Sequence, residues 1–329
     1  MTNIFYSVIL YLVIIYFTIL ISRKYSFYDI PNKRKIHKKK ILNTSGISLY
    51  IFLLILISIQ EFSYELELII SYGIFLIFFG FLDDRISLSA SIKIICIFFP
   101  VIFLIFNGFE LKSLGDYEII GSIGLGKLSI IFTLLSVGLL INAYNYTDGI
   151  DGLLSSLSIT LISYIIFLID NENVVNLLYL FLIPLIVNLI FNIQPSSNSY
   201  KIFLGDCGSL FLGFFLSFLI IYTNIYENVH SSYLIWSCWY PVYDFLYVTF
   251  KRIFNKKNFY QPDNSHLHHV ILKKFKNNHL KTMIFISIIN IFIIICGFLI
   301  AKNIGQIYSL ISFILLYLAF WKIREKIKS

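Results

Sequence analysis

Apolar runs of about 20 residues, each long enough to cross a bilayer as a helix, recur from one end of this 329-residue chain to the other. Composition agrees: 58% of the residues are hydrophobic and 13% charged, well below the roughly 25% charged of a soluble domain. The chain reads as an all-α polytopic membrane protein, one integral membrane domain over residues 1–329 with no separate soluble domain. Spans are expected at roughly 4–22, 46–60, 68–82, 90–107, 128–143, 152–169, 174–193, 208–225, 231–250, 281–300 and 305–321, about 11 transmembrane helices in all. The first has no basic leader and no small-residue cleavage site before Arg23, so it reads as a retained helix.

An odd number of spans puts the termini on opposite sides. With the N-terminus outside, all 26 Lys and Arg except Lys112, Lys127 and Lys302 fall in inside loops or the C-terminal tail. Such an excess marks the cytoplasmic side, so the N-terminus is expected outside and the C-terminus in the cytoplasm. This bias accounts for the net charge of +8, and no nucleic-acid partner is expected. The basic residues between Lys33 and Lys40 read as an anchor to anionic membrane lipid. Cys96, Cys207, Cys238 and Cys296 show no paired spacing, so neither a disulfide framework nor a zinc site is expected.

Three acidic stretches interrupt the apolar pattern: residues 80–85 (GFLDDR), 142–153 (NAYNYTDGIDGL) and 204–213 (LGDCGSLFLG). Ionisable groups at hydrocarbon depth cost kilocalories each, so they sit at membrane edges or line wet cavities, and they are usually functional. In the expected orientation, Asp83, Asp84, Asp148, Asp151 and Asp206 all lie at cytoplasmic helix ends, as do His266, His268 and His269. Adjacent carboxylates such as Asp83 and Asp84 repel unless a cation or proton intervenes. Asp148 and Asp151, three apart, would share a face of a helical turn, with Asn142 and Asn145 adding neutral donors. Asp206, framed by glycines at a helix start, suits a cation bridging to phosphate. Each of these acids could instead be a helix cap. Asp244, after Pro241, could pair with Arg252 or cap its helix. The hard oxygen donors favour Mg²⁺ or Mn²⁺ over zinc.

Taken together these stretches resemble the polyprenyl-phosphate N-acetylhexosamine-1-phosphate transferase family, to which the phospho-MurNAc-pentapeptide translocase is related. The likeness runs through residues 29–37 (DIPNKRKIH), 81–85 (FLDDR) with Lys93 following, 142–153, 203–213, and Pro262-Asp263 with the His266-Leu-His-His269 segment. After His37 the family has prolines and a Gly-Gly pair, where this chain has KKILNTSG over residues 39–46.

The resemblance implies transfer of a sugar-1-phosphate, in the first instance N-acetylhexosamine-1-phosphate, from a UDP-sugar to undecaprenyl phosphate. UMP is released, and cell-envelope polysaccharide synthesis, such as that of O-antigen, begins. The implied metal ligands are Asp206, Asp83 and Asp84, with Asp148, Asp151, His266, His268 and His269 also catalytic. Asn142, Asn145, Phe203, Lys38 and Lys93 are the implied substrate-binding residues, Phe203 stacking on uracil. A bacterial inner-membrane location with the site on the cytoplasmic face follows, and a homodimer is left open. Alternatives are a translocase-like transferase and a transporter or flippase of lipid-linked substrate. Transporters, however, place their ionisable groups near the midplane in repeated halves.

Overall fold

The computed structural model describes residues 2–30, 39–195, 197–256 and 265–327. The chain is mostly helical: α1 (Thr2–Lys24), α2 (Ser45–Ile59), α3 (Tyr64–Ile86), α4 (Ala90–Phe106), α5 (Ser129–Thr147), α6 (Leu153–Leu168), α7 (Glu172–Asn192), α8 (Gly205–Ile225), the short α9 (Ser231–Leu234), α10 (Trp239–Phe254), the short α11 (Leu267–Lys274), α12 (His279–Asn303) and α13 (Gln306–Lys326). Among the described residues seven helices are long and apolar enough to cross a membrane: α1, α3, α5 with its preceding 3-10 turn, α7, α8, α12 and α13. Helices α2, α4 and α6 are apolar but shorter, at 15, 17 and 16 residues. The protein is a multi-pass membrane protein.

The stretch 231–250, expected as one span, is instead α9, a 3-10 turn over Ile235–Cys238 and α10. Pro241 explains part of the break. It has no N–H to donate and fits the first turn of a helix, not its interior. Short strands also join the all-helical expectation. Strands β1 (Tyr28–Asp29), β2 (Ile41–Asn43) and, much later, β5 (Ile202–Phe203) form one sheet, while β3 (Ser113–Tyr117) and β4 (Gly121–Gly124) form a separate hairpin.

Helix α8 is the axis of the bundle, with 83% of its span buried against 6% for α13. Its aromatic residues fill the interior: Phe211, Phe214, Phe215 and Phe218 are fully buried, and the Phe215 ring centroid lies 4.4 Å from that of Phe181 on α7. Lipid is as apolar as these side chains, so helix association in a membrane depends on close packing. Small residues supply it here. A methyl group at Gly80 of α3 would fall on the backbone of Cys207, and one at Gly46 of α2 on the backbone of Gly208. Both contacts lie in the first turn of α8. They pull the end of α3 and the start of α2 onto the same point, and the functional groups follow.

Candidate active site

Asp84, in the last turn of α3, accepts the backbone N–H of Asp206 at 3.2 Å and that of Cys207 at 3.5 Å. The carboxylate thus sits on the N-terminus of α8, where unpaired N–H groups and the helix dipole favour negative charge. Gly205 makes the approach possible. Its φ of +71° suits glycine, and a Cβ there would stand 2.7 Å from the Asp84 carboxylate. Asn43 donates its side-chain N–H to the same carboxylate at 3.2 Å. It reaches the site because β2 runs parallel to β5, pairing Asn43 with Phe203.

Asp206 accepts a hydrogen bond from Asn145 of α5 at 3.1 Å, and the same amide nitrogen donates to Ser209 at 2.7 Å. Asp83 lies within interacting distance of Asp206. It is buried, pairs with the ammonium of Lys93 and accepts the Leu88 N–H at 2.8 Å. Asp83, Asp84 and Asp206 together carry more negative charge than the Lys93 ammonium beside them offsets. A diphosphate would enter such a cluster only with added positive charge. Among the described residues no three His, Cys, Asp or Glu side chains form a ready cage. That donor set fits Mg²⁺ or Mn²⁺, since Mg²⁺ usually takes one or two carboxylates and completes its shell with water and substrate phosphate.

Helix α5 ends at Thr147, and residues 148–152 form a turn before α6. Asp148 and Asp151 therefore do not share a helix face, as their spacing suggests. Asp148 stays with the cluster. The protein packed around it, and then the nearby carboxylates of Asp206, Asp84 and Asp151, push its carboxyl well above the usual carboxylate range. Asp151 points elsewhere. It pairs with buried Lys201 at 2.5 Å and lies 3.4 Å from the His279 ring nitrogen. The Gly152 N–H is fixed by Asn192 at 2.5 Å. Asn142 donates its amide back to Gly138 of its own helix at 2.7 Å. Phe203 is half-buried, with the Lys201 ammonium 5.6 Å from its ring centre. Lys38 lies outside the described residues.

The histidines form the other wall. His266 caps α11 and bonds through Nδ1 to Asp244 at 2.9 Å, while the Leu267 N–H donates to the second Asp244 oxygen at 2.8 Å. The arginine beside Asp244 is Arg324, at 3.8 Å, where the sequence suggests Arg252. A Cβ on Gly149 would stand 3.2 Å from His268 Nε2 and 3.1 Å from His269 Cε1, so both rings lie directly over the 148–152 turn. Burial, together with the neighbouring His269 ring, holds His268 well below the ordinary imidazole range. Burial and nearby His266 lower His269 to about 4. Both rings are neutral near pH 7.

Sequence reasoning passed over Asn43, Lys201, Ser209, Asn192, His279 and Arg324. Lys201 carried one signal, as the only basic residue between α7 and α8. Asn43 lies in the stretch where the chain departs from the family's Gly-Gly pattern, and its role appears only once β2 pairs with β5.

The model for Glycosyl transferase family 4 matches residues 66–224. The undecaprenyl-phosphate alpha-N-acetylglucosaminyl 1-phosphate transferase of Escherichia coli (strain K12) is 27% identical over 268 residues, covering 79% of this chain and 72% of that protein. The probable undecaprenyl-phosphate N-acetylglucosaminyl 1-phosphate transferase of Bacillus subtilis (strain 168) is 28% identical over 264 residues, covering 77% and 71%. The matched region carries Asp83, Asp84, Asn145, Asp148, Asp151 and Asp206, so the acidic wall lies within the part of the chain that is similar to Glycosyl transferase family 4.

Proposed function

We propose that this protein transfers a sugar-1-phosphate, N-acetylhexosamine-1-phosphate in the first instance, from a UDP-sugar to undecaprenyl phosphate. An oxygen of the lipid phosphate forms a bond to the β-phosphorus of the UDP-sugar. The bond from that phosphorus to the bridging oxygen breaks, and UMP leaves with the electron pair. The observation that carries this reading is the meeting of Asp84, Asp206 and Asn145, from three separate helix ends, beside the histidine wall.

Phosphoryl transfer asks a protein mainly for positioning and charge neutralisation. A divalent cation, Mg²⁺ or Mn²⁺, held by Asp206 with Asp83 and Asp84, would supply the neutralising charge. The chain's own groups do the rest. Asn145 fixes the rotamer of Asp206, Asn43 and the α8 N-terminus fix Asp84, and Lys93 offsets Asp83. Neutral His268 and His269 each keep one ring N–H that can donate to a phosphate oxygen. A general base is not required, because a phosphate monoester, with a second pKa of about 6, is mostly ionised near pH 7.

The acidic ends of α3, α5 and α8 meet at one end of the bundle, and the Lys/Arg bias of the sequence supports the cytoplasm as the side they face. With the N-terminus outside and the C-terminus inside, the site faces the cytoplasm from a bacterial inner membrane. Purified protein given undecaprenyl phosphate, Mg²⁺ and a panel of UDP-sugars should release UMP with a UDP-N-acetylhexosamine and stop on EDTA. No UMP with any sugar would sink the transferase reading, and full activity in EDTA would remove the cation from it.

A further inference from the structure

Helix α13 faces outward along most of its length, yet its end is inverted. Ile323 is exposed, Arg324 is only 3% exposed, and Lys322, Glu325 and Lys326 around it are exposed. An arginine does not turn inward on a lipid-facing helix without a partner, because burying an unpaired charge is costly. Three groups receive it. The guanidinium packs over the Tyr247 ring at 4.7 Å, donates from Nη2 to the Ser265 carbonyl at 2.5 Å, and lies 3.8 Å from Asp244 Oδ1. Asp244 in turn holds the His266 ring and the Leu267 N–H.

Two buried charges from two helices therefore grip three consecutive residues: the carbonyl of 265, the ring of 266 and the amide of 267. The grip lies immediately before α11, whose first turn carries His268 and His269 over Gly149. The contact with the Asp244 carboxylate also requires a proton on His266 Nδ1.

We propose that Arg324 is a positioning residue of the transferase site, which with Asp244 clamps residues 265–267 and so sets the histidine segment against the 148–152 turn. This inference rests on the sugar-phosphate transfer proposed above, and it gives the last helix a part in the site as well as in the membrane. Among the described residues Arg324 contacts Tyr247, Ser265 and Asp244, away from the Asp83, Asp84 and Asp206 cluster. Its effect passes through Asp244 and the Ser265 carbonyl.

The test uses the full chain in nanodiscs, with Arg324→Gln, Arg324→Lys and, as a control on the exposed neighbour, Lys322→Gln. Arg324→Gln should lower kcat for UMP release about 20-fold, with KM for the UDP-sugar changed less than about 3-fold, and Arg324→Lys should recover much of the loss. Backbone amide exchange across 267–272, measured without substrate, should rise about 10-fold in Arg324→Gln while α8 stays protected. Lys322→Gln should change neither reading. Unchanged exchange across 267–272 would overturn the proposal. So would a rise of equal size in α8, which would make Arg324 a support of the whole bundle. A wild-type protein without UMP release would defeat the transferase reading while leaving the exchange result to decide the clamp.

Discussion

The carboxylate of Asp84 receives the backbone N–H of Asp206 at 3.2 Å, so one acidic residue of the site caps the helix that presents another. Two like charges lie side by side because the N-terminus of α8 supplies partial positive charge between them. The arrangement also makes the two residues distinguishable by mutation.

Asp206→Asn should remove UMP release, with a fall of about 100-fold or more in kcat. It should leave the detergent-solubilised protein folded, because the asparagine oxygen still accepts from Asn145. Wild-type turnover by this variant would take Asp206 out of the reacting centre. Circular dichroism and size-exclusion profiles establish that the fold is retained.

Gly205→Ala tests the approach of Asp84 to α8. The φ of +71° costs a residue with a Cβ roughly 1 kcal/mol, and that Cβ would press on the Asp84 carboxylate at 2.7 Å. The expected result is a melting temperature lowered by a few degrees and a loss of activity well beyond what that shift explains. Normal turnover would mean that Asp84 does not need its seat on the helix.

Lys201, with its side chain 3% exposed, pairs with half-buried Asp151 at 2.5 Å. Removing one partner strands the other, a cost that reaches about 3–5 kcal/mol where both groups are buried. Lys201→Met should therefore destabilise strongly, and Asp151→Asn combined with Lys201→Met should regain a good part of the loss. A double variant no more stable than the single one would show that the pair is not a unit. Thermal unfolding in detergent reads the cycle.

His269 is held at about 4, against about 6.5 for a histidine in an unfolded chain. Between these values the unfolded chain binds a proton that the folded protein does not. Stability from this group therefore falls as pH drops from about 6.5 towards 4 and is unaffected above that window. Over that fall the wild-type melting temperature should drop further than that of His269→Gln. The reverse order would mean that the ring is charged in the folded protein.

The acids were legible in the sequence because they break apolar runs at the ends of spans, where any side chain of that chemistry is conspicuous. Asp83, Asp84, Asn145, Asp148 and Asp206 come together as those breaks suggest. Asp151 does not join them, because α5 stops at Thr147 and the turn that follows swings its carboxylate towards Lys201, 50 positions along the chain. Asn43 is 41 positions from Asp84, and Arg324 is 59 from Ser265. Hydropathy reports which residues can face lipid. It carries nothing about which loops dock or how far each helix rotates.

The amino-acid sequence by itself determined a helical membrane protein whose Asp and His motifs lie at helix ends, since hydrocarbon disfavours such groups within a span. Tertiary structure alone decided which carboxylate meets which partner. The decision rests on the close seating of α2 and α3 against the first turn of α8 at Gly46 and Gly80. Backbones that near fix the rotation of each helix, and with it the direction in which every side chain at its end must point.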